Sequence, residues 1–210
     1  MKKGVYDGLK LLGTSYKDNM NIIKKTIKHT MLVTKHRWYV FKLAFKAGIP
    51  LRGLTHDLSK FSPTEFIESV KYYNGKRSPI NACIEEKGYS LAWLNHKGKN
   101  RHHLEYWESC ANGKREGAFL PYKYMVEMIC DKISAGITYN PKTWTTSQPL
   151  EYWINVEKQK PTVVHPATIE YIETVFKNLE KEGIEKTINS QYLKKVYRNI
   201  SIKYNIRIYG

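Results

Sequence analysis

Between residues 18 and 47 the chain commits to one kind of local structure. Ile22, Ile23, Ile27, Met31, Val33, Tyr39, Val40, Leu43 and Ala44 recur at helical spacing, with Lys and Arg on the other face. Gly48 and Pro50 end the run. The same signals recur downstream. A short second helix is expected over Leu51–Lys60, carrying His56 and Asp57. Ser62-Pro63-Thr64-Glu65 reads as a capping box: Ser62 accepts an orphan backbone N–H, Pro63 takes the first helical position and Glu65 reaches back. That helix should stop at Asn74-Gly75, and Ser78-Pro79 and Gly88 mark the next start and stop. "YSLAWLN" reads as a short apolar helix leading to His96, "HKGKNRHH" as a polar loop, and "HLEYWESC" as a further helical turn or two. Pro121 opens a strong helix that carries Asp131, and three more helices are expected near 148–158, 166–182 and 184–203. No alternating strand, internal repeat or low-complexity linker stands out. The expected fold is one all-α domain over 1–210, its core at about 18–140 and its C-terminal helices, about 147–204, packed on that core.

Composition bounds the function more loosely. At 210 residues, 41% hydrophobic and 26% charged, the chain suits a globular domain. No stretch approaches the roughly 20 apolar residues that cross a bilayer, and the N-terminus lacks the apolar core of a secretory signal. Three cysteines, Cys83, Cys110 and Cys130, form no C-x-x-C pair, which argues against a disulfide framework and a thiolate zinc site. A cytoplasmic protein without a membrane partner is expected. The net charge of +16 fits a nucleic-acid partner or a phosphorylated small-molecule substrate, and equally a compositional richness in Lys. The basic residues are spread along the chain in no block or tail, so charge does not choose among these.

The histidines are more specific. His29 and His36 lie two helical turns apart and share a face. Another segment offers His56-Asp57, a loop offers His96, His102 and His103, and a later helix offers Asp131. Neutral imidazoles and carboxylates are the ligand set of zinc, iron or manganese. If His56 and Asp57 are helical, they point about 100° apart and reach one ion only over the seam between them. Gly98 lets the chain fold back so that His96 and His102 meet near one point. Lys60, one turn after His56, is positioned to neutralise a phosphate. Arg101 is a second candidate for substrate binding, and His29 and Glu105 are candidates to support the ligands from behind by hydrogen bonds.

The order His36, His56-Asp57, Asp131 resembles the HD superfamily of metal-dependent phosphohydrolases, whose fold is an all-α bundle. Its two-metal members insert a further His and a His-His pair before the last Asp, and His96 and His102-His103 stand in that order here. "HDLSK" matches the superfamily's His-Asp-x-x-Lys, with Lys60 at the lysine. "RGLTHDLSKFSPTEF", "SLAWLNHKGKNRHHLEYW" and "MICDKISAG" are similar to an uncharacterised family of bacterial and phage proteins. There is no GYP motif, so cyclic-dinucleotide hydrolysis is not implied, and either His29 or His36 satisfies the first position; His36 is preferred because "HRWYVFKLAFKAGI" resembles the superfamily's ligand-bearing first helix, with the His on the apolar face and a Gly at its end.

The resemblance implies one or two divalent ions (Mn, Fe, Zn, Co or Ni) held by His36, His56, Asp57, His96, His102, His103 and Asp131. It also implies a metal-activated water attacking a phosphomonoester or phosphodiester, a nucleotide by analogy, with Asp57 and Lys60 catalytic. Two other readings stand beside it: a basic nucleic-acid-binding or interaction protein on the same scaffold, and a di-iron oxygenase on the same ligands.

Overall fold

The computed structural model describes residues 3–75 and 77–207, with side chains from residue 21 onward apart from Ala111. The expected bounds of 1–210 take in residues 1–2, 76 and 208–210, which lie outside these. The described chain is all-α, with one two-stranded hairpin. It divides into two compact units, Met1–Thr34 with Lys60–Asn95, and Lys35–Ser59 with His96–Gly210.

Helix α1 (Lys3–Lys46) begins far upstream of the expected start, because Gly8 and Gly13 lower helix propensity without breaking the ladder. Its buried side is also narrower than the sequence pattern implied. His29, Val33, His36, Val40, Leu43, Ala44 and Ala47 are buried, whereas Ile22, Ile23, Ile27 and Met31 are exposed.

In the first unit, α3 (Pro63–Tyr72) packs against α4 (Pro79–Lys87). Pro63 and Pro79 open these helices and Gly88, at φ 80°, closes α4 as expected. The capping box does not form. Ser62 Oγ is buried without a hydrogen bond among the described residues, and Glu65 accepts from Asn95 Nδ2 at 2.6 Å. Burial of Glu65 explains the change, since a buried carboxylate needs a committed donor. Glu68 instead caps α5 (Leu91–Lys99), accepting from the backbone N–H of Leu91 and Ala92 and from Ser90 Oγ. Helix α5 therefore runs past His96 into the segment expected to be loop.

The second unit carries the large core. Helix α2 (Pro50–Thr55) lies so close to α1 that a Cβ on Gly53 would sit 2.6 Å from Ala44 Cβ and 3.0 Å from Phe41 Cα. Helix α6 (Tyr122–Tyr139) is buried on most sides. Its Met125, Ile129 and Ile133 pack in one cluster with Val40 and Leu43 of α1, with Tyr171, Phe176 and Leu179 of α8 (Pro166–Thr187), and with Leu193 of α9 (Ser190–Lys203). Each such aliphatic side chain contributes about 1.5–3 kcal/mol on burial. Helix α7 (Gln148–Tyr152) continues as a π-turn over Trp153–Glu157. Helix α8 kinks at Gly183 (φ 78°, ψ 179°), where a break was expected, and His165 caps its start by accepting from Ala167 N–H at 3.1 Å.

One element was not anticipated. "HLEYWESC" forms a 3-10 turn over Leu104–Trp107 and then strand β1 (Glu108–Ala111), which pairs antiparallel with β2 (Lys114–Gly117). Asn112-Gly113, both at positive φ, make the tight turn that this dipeptide favours.

Candidate metal centre

The ligand-bearing segments converge within the second unit. His36 comes from α1, His56-Asp57 from the end of α2, His96 from the last turn of α5, His102 and His103 from the following loop, and Asp131 from α6. The expected helix over Leu51–Lys60 is broken where it matters most. Helix α2 ends at Thr55, His56 turns extended (ψ 130°), Asp57 is left-handed (φ 53°), and Leu58–Phe61 forms a separate 3-10 turn. Aspartate tolerates that conformation better than most residues, and strain of this kind gathers at functional sites. The break replaces the 100° helical splay. Arg37 secures it, donating from Nε to His56 O at 2.8 Å and from Nη2 to Leu54 O at 2.9 Å, and so satisfies carbonyls left open at the helix end.

Around this break the donor atoms fall into two groups, His36, His56 and Asp131 in one, Asp57, His96, His102 and His103 in the other. Asp57 faces both. Its Oδ2 lies 3.4 Å from His56 Nε2, while Oδ1 lies 3.4 Å from His96 Nε2 and 3.5 Å from His102 Nε2. Asp131 Oδ1 lies 3.0 Å from His36 Nε2 and 3.5 Å from His56 Nε2. Two ligands each about 2.1 Å from one ion stand roughly 3.0–3.4 Å apart at octahedral or tetrahedral angles. The observed spacings match. His56 Nε2 and His102 Nε2 are buried with no hydrogen bond among the described residues, as nitrogens reserved for a cation would be.

Behind the ligands sits a carboxylate absent from the sequence-based set. Glu127 Oε1 lies 3.0 Å from His56 Nδ1 and 3.4 Å from His102 Nδ1, and Oε2 accepts from Arg52 Nε at 2.8 Å and Nη2 at 2.5 Å. Glu127, His56 and His102 also satisfy the distances of a third ligand group. The Arg52 guanidinium on the same carboxylate opposes a cation there, so we assign Glu127 to orienting the His56 ring, Nδ1–H inward and Nε2 towards Asp57 and Asp131; His102 Nδ1 stands near the same oxygen without a hydrogen bond among the described residues. Its position was available in sequence, four residues before Asp131 and hence on one face of α6. His96 is held similarly: Ser59 Oγ lies 3.3 Å from its Nδ1, and Asn100 Nδ2 donates to Ser59 Oγ at 2.8 Å and to His96 O at 2.9 Å.

Electrostatics follow from this crowding. Burial opposes charge on His56, but Asp57, Asp131 and Glu127 overcome it and raise its pKa to about 10. Burial would push Glu127 up, yet His102 and His56 hold it at about 2. Asp131 is likewise held well below the carboxylate range, against burial, by His36 and His56. Burial, then the charges of His102 and His96, keep His103 neutral.

The remaining expected residues are placed as follows. His29 belongs to the first unit, its ring against Phe66 and Tyr73, and burial with the charge of Lys60 lowers its pKa to about 4. His36 is thus the histidine of α1 that joins the ligand group. Lys60 also belongs to the first unit, in the 3-10 turn. Arg101 lies over the rings of Tyr106 and Tyr124 and donates to Tyr124 OH at 3.2 Å. Glu105 is half-buried, its charge felt by Lys132; the carboxylate behind His56 is Glu127.

Comparison with known families adds one finding. The profile of DUF5662, a family of unknown function, matches residues 25–178. The chain belongs to this family. The matched span includes every donor of both ligand groups, together with Glu127 and Arg52. No curated protein and no solved structure matches the chain.

Proposed function

We propose that this member of DUF5662 is a divalent-metal-dependent phosphohydrolase of the HD type, acting on a phosphomonoester or phosphodiester, with nucleotides the first substrates to screen. The observation that carries the reading is the placement of Asp57, one carboxylate oxygen towards each ligand group. His36, His56 and Asp131 would hold one ion, His96, His102 and His103 the other, and Asp57 both. A bound pair of divalent ions supplies charge neutralisation at a phosphoryl group and lowers the pKa of water. Glu127, held by Arg52, keeps the His56 ring in the ligating tautomer, and burial of His36, His56, Asp57, His96 and His102 keeps bulk water from competing. Arg101, in the same unit as every ligand, is assigned to the substrate phosphate; its guanidinium is steadied by the Tyr106 and Tyr124 faces, with no carboxylate partner among the described residues. The three cysteines are free thiols, in keeping with the cytoplasmic setting read from the sequence.

The test is elemental analysis of protein purified without chelator, followed by a phosphatase screen with Mn, Fe, Co, Ni, Zn and Mg. One to two equivalents of metal are expected, lost in His56→Ala with Asp57→Ala. Folded, metal-free protein indifferent to chelators would overturn the reading. Iron-dependent oxygen uptake without phosphate release would instead assign the centre to an oxygenase.

A further inference from the structure

The second unit exposes an apolar surface that neither its core nor its metal centre uses. Trp38 and Phe45 on α1 are 57% and 65% exposed, and Leu51, Leu54 and Leu58 are 76%, 59% and 52% exposed. Trp38 and Phe45 flank Phe41 on α1, and α2 reaches that same residue. Trp38 stacks on Phe41 at 5.7 Å between ring centroids, Phe41 lies 6.3 Å from Phe45, and α2 meets α1 at Phe41 through Gly53. The Leu54 carbonyl is held by Arg37, the residue before Trp38. From the usual area of such side chains, the exposed apolar surface is roughly 500 Å², at the upper end for a soluble monomer.

The position on the helix is regular. At 100° per residue, Trp38, Phe41 and Phe45 centre opposite the buried His36, Val40, Leu43 and Ala47. Lys35, Lys42 and Lys46 lie about 60–100° further round, and Lys42 sits over the Tyr39 ring at 4.5 Å from its centroid. Between residues 35 and 59 the sequence holds five Lys or Arg and one acid, Asp57, which is buried among the candidate ligands. Lys46 and Arg52 are paired with Glu185 and Glu127.

We propose that this face docks on an anionic lipid bilayer, the stretch of α1 over residues 35–46 lying along the surface with Trp38, Phe45 and Leu51 in the headgroup boundary and Lys35 and Lys42 on the acidic headgroups. Bulky apolar residues flanked by lysines form the pattern of interfacial helices. A second copy of the chain would set two cationic faces together. Single-stranded nucleic acid would want open ring faces, but Trp38 is stacked on Phe41 and half the surface is leucine, which offers bases nothing to stack on. No helix among the described residues is long and apolar enough to cross a membrane, and none is required to.

The experiment is co-sedimentation of the full chain with phosphatidylcholine vesicles, with and without phosphatidylglycerol, for the native protein and for Trp38→Ser with Leu51→Ser. Both residues are exposed, so circular dichroism and metal content should match the native protein. Binding is expected to phosphatidylglycerol vesicles, to weaken with salt, and to fall at least tenfold in the double variant. The proposal is overturned by any of four results: no binding to anionic vesicles, equal binding by the variant, a dimer that the variant dissociates, or a stronger, variant-sensitive affinity for oligo(dT).

Discussion

Removing the Glu127 charge should weaken both metal positions at once. In Glu127→Gln one oxygen still reaches His56 Nδ1, but the amide neither draws the proton to Nδ1 as a carboxylate does nor balances Arg52, which now donates twice to Oε2. Loss of a carboxylate behind a ligating histidine costs about 10–100-fold in metal affinity, or roughly 1.4–2.7 kcal/mol. Because Oε1 faces His56 of one group and His102 of the other, the loss should appear in both binding steps. Glu127→Ala goes further, leaving two imidazoles and a guanidinium facing a buried void. Breaking a buried ion pair by removing one partner costs about 3–5 kcal/mol, so this variant should be visibly less stable even without metal. Chelator competition reads the affinities, and denaturant unfolding of metal-free protein reads the stability. If Glu127→Gln binds both equivalents as the native protein does, or loses only one, then the shared-oxygen geometry does not govern the site.

Metal uptake should also release protons. With a pKa of about 10 in the metal-free fold, His56 is protonated at pH 7, and a metal must displace that proton. Calorimetry in buffers of different ionisation enthalpy should show about one proton released by His56 on loading. The raised pKa also sets the sign of its effect on the metal-free protein: His56 stabilises the fold fully below pH 6.5, and that contribution fades as pH rises towards 10, which unfolding of the apo-protein across that window will check. At the α1–α2 contact, Gly53→Ala must push against Ala44 and the Phe41 backbone, an overpacking cost of about 1–3 kcal/mol measurable by thermal denaturation, with partial loss of metal because Gly53 stands three residues before His56.

The helices were legible in the sequence because they are written in periodicity, and the His and Asp residues that gather in one place were legible by residue type. Pro63, Pro79, Gly88 and Gly183 punctuate the chain much as expected. What escaped was local competition. Glu65 abandons the capping box because burial commits it to Asn95, a choice made by distant packing. Asp57 leaves the helix at a break whose open carbonyls Arg37 holds, and no propensity scale anticipates a left-handed residue there. The hairpin escaped for a different reason: its strands are short and mostly exposed, without clean alternation, and only Asn112-Gly113 announces it. Glu127 was hidden by chemistry, since a carboxylate in a helix reads as surface until its neighbours are known to be buried histidines.

The second unit is interrupted, and the interruption has a consequence for how its relatives can be recognised. The chain leaves at Ser59 and returns at His96, and these two residues touch, Ser59 Oγ against His96 Nδ1 at 3.3 Å. An excursion whose ends meet can change length at little cost, since loop-closure entropy grows only slowly with the number of residues. The ligand geometry therefore fixes where residues 60–95 begin and end and leaves the interval open. A search for this constellation should therefore tolerate any interval between the His-Asp pair and the next histidine and require a Glu four residues before the final Asp.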